Sequence, residues 1–128
     1  MLPPMIIATA LDAADLLAPY FEACEGEKVV AAHLDADGRL IGTSEAVGEA
    51  ASVALPVRSI LGQAMQLGAC GLIVAHNHPG GDPRPSDADI EATRVLAATA
   101  GNLGIRLLDH IVVGSAGRCR SLRALGLM

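Results

Sequence analysis

An apolar run, a loop crowded with proline and glycine, and a long helical pattern follow one another between residues 71 and 102. That succession constrains the fold more than any other stretch. Gly71-Leu72-Ile73-Val74-Ala75 is short and partly β-branched, which predicts a buried strand. Side chains two apart on a strand share a face, so His76 and His78 leave the strand end side by side. Seven residues, Pro79 to Pro85, separate His78 from Ser86; three are proline and two are glycine. Such a loop has a largely fixed shape and a small closure cost. Ser86 is a good N-cap for a helix predicted from Asp87 to Asn102, and Asp89 falls in its first turn.

Two imidazoles and a carboxylate therefore converge where a strand ends and a helix begins. Zn²⁺ accepts imidazole nitrogen and carboxylate oxygen, and catalytic zinc sites commonly use three protein ligands with a position left for water. On spacing alone a second reading stands beside this one. Ser-x-x-Asp ahead of a helix is also a plain cap, and a histidine pair at a strand end can hydrogen-bond loop backbone.

The 128 residues suit one domain with one core, spanning 1–128 with residues 1–9 as an extended lead-in. Hydrophobic residues make up 52% and aromatic residues 2%, so the core is built from Leu, Ile, Val and Ala. The net charge of −5 opposes nucleic-acid binding by the chain as a whole, and the Arg118, Arg120 and Arg123 cluster reads as a solvated patch. Cys24, Cys70 and Cys119 are scattered, with no Cys-x-x-Cys spacing, which points to reduced thiols in a cytoplasmic protein. The apolar N-terminus has no basic residue ahead of it, and no apolar run is long enough to span a membrane.

Along the chain, Leu11 to Cys24 has helical spacing interrupted by Pro19, which either kinks a helix or opens a second turn. Lys28 to Asp35 reads as a strand, Asp35 to Gly38 as a hairpin turn, and Arg39 to Thr43 as a second strand. Ser44 to Leu55 is expected as a less regular third strand. Pro56 starts a helix that runs to about Leu67 and ends at Gly68. Beyond the histidine strand and its helix, Ile105–Leu108 and His110–Val113 form a near-continuous strand, and Arg118–Leu122 a final strand or edge. The expected architecture is a mixed sheet sandwiched by helices.

His76-x-His78, seven residues, then Ser86-x-x-Asp89 resembles the metal-binding motif of JAB/MPN (JAMM) domains. His76-Asn77-His78-Pro79 with Gly81, Pro85-Ser86 and Asp89, then Leu108-Asp109-His110-Ile111 and Ser121, is similar to the RadC-like branch of that superfamily. The likeness runs from about Glu27 to the C-terminus. It implies the α/β JAB/MPN fold, also described as cytidine-deaminase-like, and one Zn²⁺ held by His76, His78 and Asp89. It also implies a metallohydrolase that cleaves an amide, peptide or isopeptide bond with metal-activated water. Glu27, ahead of the Lys28–Leu34 strand, takes the place of the family's general base, with Glu25 as its competitor. Ser86 takes that of the oxyanion donor. Asp87, two residues from Asp89, should face elsewhere. Asn77 is expected to tie loop backbone, Asp82 to serve a turn, and His33 and His110 to be structural.

The chain departs from the family at Gly80, where serine is common, and at Pro56-Val57-Arg58, where Pro-Arg-Glu is usual. It is too short for the helix-hairpin-helix region of full-length RadC-like proteins. A protein or peptide substrate is expected, without nucleic-acid or membrane partners, and a homodimer remains open. The alternatives are a non-catalytic JAB/MPN interaction module and a DNA-repair-associated RadC-like protein.

Overall fold

The computed structural model describes residues 5–22, 26–47, 55–78 and 80–128. The expectations for Cys24, for Glu25 and for residues 48–54 lie outside them. Helix α1 (Ala10–Leu17) opens with a capping box: Thr9 accepts from the Asp12 amide, and the Asp12 carboxylate accepts from the Thr9 amide. Pro19 then sits in the first positions of a 3₁₀ turn, Ala18–Phe21, where a missing N–H costs little. Of the two sequence readings for Pro19, it opens a second turn. Ahead of α1, Ile6 bridges to Arg39; residues 1–4 of the expected lead-in lie outside the described residues.

Strand β1 (Lys28–Leu34) turns through Asp35–Gly38 into β2 (Leu40–Val47). Asp35 Oδ1 accepts from the amides of Asp37 and Arg39, and Gly38 supplies the positive φ that closes the turn. The expectation of a separate third strand from Ser44 is corrected here. Residues 44–47 continue β2, paired with Lys28 to Ala31 of β1. An edge strand tolerates the polar Thr43-Ser44-Glu45 run because half of its surface meets water. Lys28 Nζ also meets Glu45 Oε1 across the pair, at 2.5 Å.

Helix α2 (Val57–Leu67) has Pro56 as its N-cap residue and ends at Gly68 in the left-handed conformation. Strand β3 (Gly71–Asn77) is buried along its whole length. Helix α3 (Asp87–Asn102) crosses over to β4 (Arg106–Val113), which runs parallel to β3. A 3₁₀ turn, Ser115–Gly117, leads to the short β5 (Cys119–Ser121). Among the described residues the sheet order is β2-β1-β3-β4-β5, with only the β3–β4 pair parallel.

Alternation along the strands splits the core in two. Val29, Ala31, Leu72 and Val74 face Ile60, Leu61 and Ala64 of α2 and Leu96 and Ala100 of α3. Val30, Ala32, Ile73, Ala75, Ile111 and Val113 face Ala13 and Leu17 of α1 and Phe21. Each fully buried leucine or valine contributes roughly 1.5–3 kcal/mol relative to exposure. This is an α/β sandwich with helices on both sides of a mixed sheet. No helix among the described residues is long and apolar enough to cross a membrane.

Candidate metal centre

His76 and His78 leave the carboxyl end of β3 on the face covered by α2 and α3. Helix α3 begins there, and its capping box places Asp89 beneath them. Ser86 Oγ accepts from the Asp89 amide at 3.0 Å, and Asp89 Oδ2 accepts from the Ser86 amide at 2.8 Å. The cap and ligand readings of Ser-x-x-Asp therefore describe the same atoms. Asp89 is 2% exposed. Its Oδ1 lies 3.1 Å from His76 Nε2 and its Oδ2 lies 2.9 Å from His78 Nε2. One potential ligand atom from each of the three residues lies within 4.8 Å of the others. Burial raises the Asp89 carboxyl, but the contact with His76 and the Ser86 hydrogen bonds outweigh it and hold the group well below the usual carboxylate range.

The hydrogen bonds behind the histidines decide which nitrogens carry protons. His78 Nδ1 lies 2.8 Å from the Asp82 carbonyl. A carbonyl only accepts, so Nδ1 carries a proton, and Nε2 is the nitrogen that meets Asp89 Oδ2: it donates there when the ring is protonated and offers a lone pair when the ring is neutral. On His76 the argument takes three steps. Thr93 Oγ1 spends its only proton on the Asp89 carbonyl, at 2.7 Å. It must then accept from His110 Nδ1, 2.5 Å away. Burial first, then the neighbouring His76, push His110 down to about 3, so its ring is neutral and Nε2 accepts. His76 Nδ1, 2.6 Å from that nitrogen, is therefore the donor. His76 Nε2 is buried against Asp89 Oδ1, with no hydrogen-bond partner of good geometry among the described residues; in the neutral ring it carries the lone pair. With both rings neutral, two imidazole lone pairs would face two carboxylate oxygens. That arrangement repels itself unless a cation, a proton or a metal ion, sits among the four atoms. Two imidazoles and one carboxylate fit a three-ligand metal site.

His110 reaches this face because β4 is rephased. Leu72 pairs with Leu107, but Ile73 pairs with Asp109, so Leu108 is the extra residue of a bulge. An unbroken register would have turned His110 to the opposite face. The loop before α3 is pinned from the end of β4. The Gly81 carbonyl accepts from the Ser115 amide at 3.0 Å and from Arg118 Nη2 at 3.0 Å. Gly114 can carry no side chain, since a Cβ would sit 2.5 Å from the Gly81 oxygen and 2.9 Å from Pro83 Cδ.

Asn77, on the other face, ties backbone: Oδ1 accepts from the Lys28 amide at 2.8 Å and Nδ2 donates to the Gly26 carbonyl at 2.9 Å. These bonds flank Glu27. The β1–β3 register pairs Val29 with His76; continued by two residues, it sets Glu27 opposite His78 and on its face. Asp87 is exposed. Asp82 holds its turn through Arg84, and its carbonyl fixes His78. His33 lies away from the site, with Nε2 3.0 Å from Ser44 Oγ.

A profile of the RadC-like JAB domain matches residues 7–127. The chain belongs to the RadC-like JAB domain family. It is similar to a UPF0758 protein of Trichormus variabilis, 46% identical over 91 residues, which cover 70% of this chain and 37% of that protein. A UPF0758 protein of Trichodesmium erythraeum is 38% identical over 119 residues, 92% of this chain and 49% of the relative. One from Burkholderia mallei is 46% identical over 91 residues, 70% of this chain and 33% of the relative. The chain thus spans between about a third and a half of the relatives it matches. Within this JAB domain, sequence reasoning gave His110 only a structural place and missed Thr93, Gly114 and the Asp82 carbonyl. Thr93 stands four residues after Asp89, one helical turn along the same face. The other two follow from close tertiary approach, which no sequence pattern signals.

Proposed function

We propose that this JAB domain is a zinc-dependent hydrolase of amide, peptide or isopeptide bonds. The observation that carries this reading is the convergence of His76, His78 and the buried Asp89 carboxylate, whose potential ligand atoms lie within 4.8 Å of one another while the Nδ1 of each imidazole is engaged elsewhere. His76, His78 and Asp89 would hold the ion through Nε2, Nε2 and a carboxylate oxygen. When bound, zinc polarises a carbonyl and can lower the pKa of a water to about 7.

The remaining chemistry falls to the protein's own groups. Glu27 takes the proton of the attacking water and returns it to the leaving amine. Among the described residues its carboxylate has no ion pair to compete for it, while Asn77 fixes the backbone on either side. Ser86 Oγ uses a lone pair to cap α3, so its hydroxyl proton is free for the developing oxyanion. Such a donor is worth about 10²–10³ in rate.

The test is Glu27→Gln, assayed for metal content and for cleavage of a quenched-fluorescent peptide mixture. We expect about one zinc per chain in both proteins, and cleavage lowered by about 10²–10⁴-fold in the variant. Loss of zinc from Glu27→Gln would refute the base assignment. A wild type that binds zinc and cleaves no peptide or isopeptide would refute the hydrolase.

A further inference from the structure

β5 is the edge of the sheet nearest the loop that carries His78, and its pairing with β4 fixes which way its peptide groups point. Gly114 N donates to the Arg118 carbonyl and Leu122 N to that of His110. Residues 118, 120 and 122 therefore turn their backbone groups toward β4. Cys119 and Ser121, opposite Val113 and Ile111, turn theirs outward; there the Ser121 carbonyl already accepts from the Leu125 amide at 3.0 Å, which leaves the Cys119 amide and carbonyl and the Ser121 amide to face outward from the edge. Among the described residues no strand pairs with that side.

A groove of about 1140 Å³ runs beside this edge and reaches His78. Leu11 of α1 and Leu125 beyond β5 both line it, and they are 69% and 47% exposed. Val113 and Cys119 line it too. Asp15 and Glu22 also line the groove, opposed by Arg120 alone, which disfavours a polyanion. The volume exceeds the roughly 300–1,000 Å³ of small-molecule pockets. A strand edge open at the Cys119 amide and carbonyl and the Ser121 amide, beside an apolar trough, matches peptide recognition by strand addition, where backbone bonds give affinity and side-chain pockets give selectivity.

We propose that this groove binds an extended peptide with apolar side chains, added to β5 as a sixth strand and leading to His78. The proposal rests on the hydrolase reading, and it names where that enzyme takes its substrate.

The test uses the zinc-loaded full chain and a fluorescein-labelled peptide, Lys-Leu-Val-Leu-Val-Gly-Lys, with Lys-Ser-Gln-Ser-Gln-Gly-Lys as control. Two variants probe the groove. Leu11→Asp alters an exposed side chain in the first turn of a helix, where an acid is favoured. Cys119→Pro removes an outward N–H from an edge strand, where proline is accepted. Arg118, with φ −69° and ψ 133°, already has the extended backbone that a following proline requires. The apolar peptide should bind, the control should not, and each variant that folds by circular dichroism should weaken binding by about tenfold or more, equivalent to about 1.4 kcal/mol. Peptide should also slow hydrogen exchange at the Cys119 and Ser121 amides of the wild type. Absence of binding, equal binding of the control, unchanged affinity in the variants or unslowed exchange would each overturn the proposal. Peptide bound in this way but never cleaved would refute the hydrolase alone. Cleavage with a KM indifferent to both variants would refute the groove alone.

Discussion

Two buried aspartates, Asp89 and Asp109, sit on opposite faces of the sheet and serve opposite ends. They are 2% and 4% exposed, and each accepts a backbone amide. Asp109 is saturated: Oδ1 accepts from the amides of His110 and Arg123, and Oδ2 accepts from the Ser121 hydroxyl at 2.6 Å. Every one of those partners is a donor fixed in place. Asp89 takes the Ser86 amide, but its other close neighbours are two imidazole nitrogens, 3.1 and 2.9 Å away, whose rings already engage Nδ1 elsewhere. A buried carboxylate surrounded by donors is structural. One set between two imidazoles takes its positive partner from a proton or a metal ion.

The comparison breaks if the two residues can be exchanged in their effects. Asp89→Ala should reduce zinc from about one per chain to nearly none, because three ligands fall to two. Asp109→Asn should leave zinc unchanged. It puts an amide where an acceptor met the Ser121 hydroxyl, and stability should fall by about 1–3 kcal/mol in urea unfolding. Elemental analysis and unfolding of both variants settle the matter. Zinc loss from Asp109→Asn, or full zinc in Asp89→Ala, would erase the distinction.

A smaller change sharpens it. Thr93→Val keeps the shape of the side chain but removes the hydroxyl that orders the His110 and His76 protons. His110 is then free to take the other tautomer and present a proton to His76 Nδ1, moving the proton of His76 toward its ligating nitrogen. Groups behind metal ligands typically govern affinity by about 10–100-fold. A loss in that range should appear in competition with a chromogenic chelator, with the fold intact. Unaltered zinc affinity would mean that the chain from Asp89 through Thr93 to His110 does not set the tautomer.

The histidines and the acid were legible because local rules place them. Strand alternation aligns His76 with His78, and Ser86 with Asp89 is a cap whose helix bounds, Asp87 to Asn102, follow from the sequence. The role of His110 was not legible. It depends on one extra residue, Leu108, inserted into the β3–β4 register, and neighbouring strands decide that register. The mistaken third strand has the same origin. Thr43-Ser44-Glu45 has little of the apolar alternation that marks a strand, yet pairing with β1 carries β2 through to Val47. Local composition reports what a segment prefers; the register reports what its neighbours impose.

His33 extends the contrast to the histidines. It is as buried as His110, at 0% exposure, yet Ser44 meets only its Nε2, and Nδ1 has no partner among the described residues. Burial lowers the His33 pKa from 6.5. The folded protein therefore resists a proton that the unfolded chain takes up as the pH falls through 6.5. Stability from this site is complete above that value and declines below it, toward the lower folded pKa, by at most about 1.4 kcal/mol per pH unit. His33→Gln removes the titration while leaving a group to meet Ser44. Urea unfolding of zinc-free protein at pH 7 and pH 5 should show the wild type losing more stability than the variant. His110 contributes equally to both and cancels. An equal loss would show that water enters to solvate His33, making it less isolated than its unpartnered nitrogen implies.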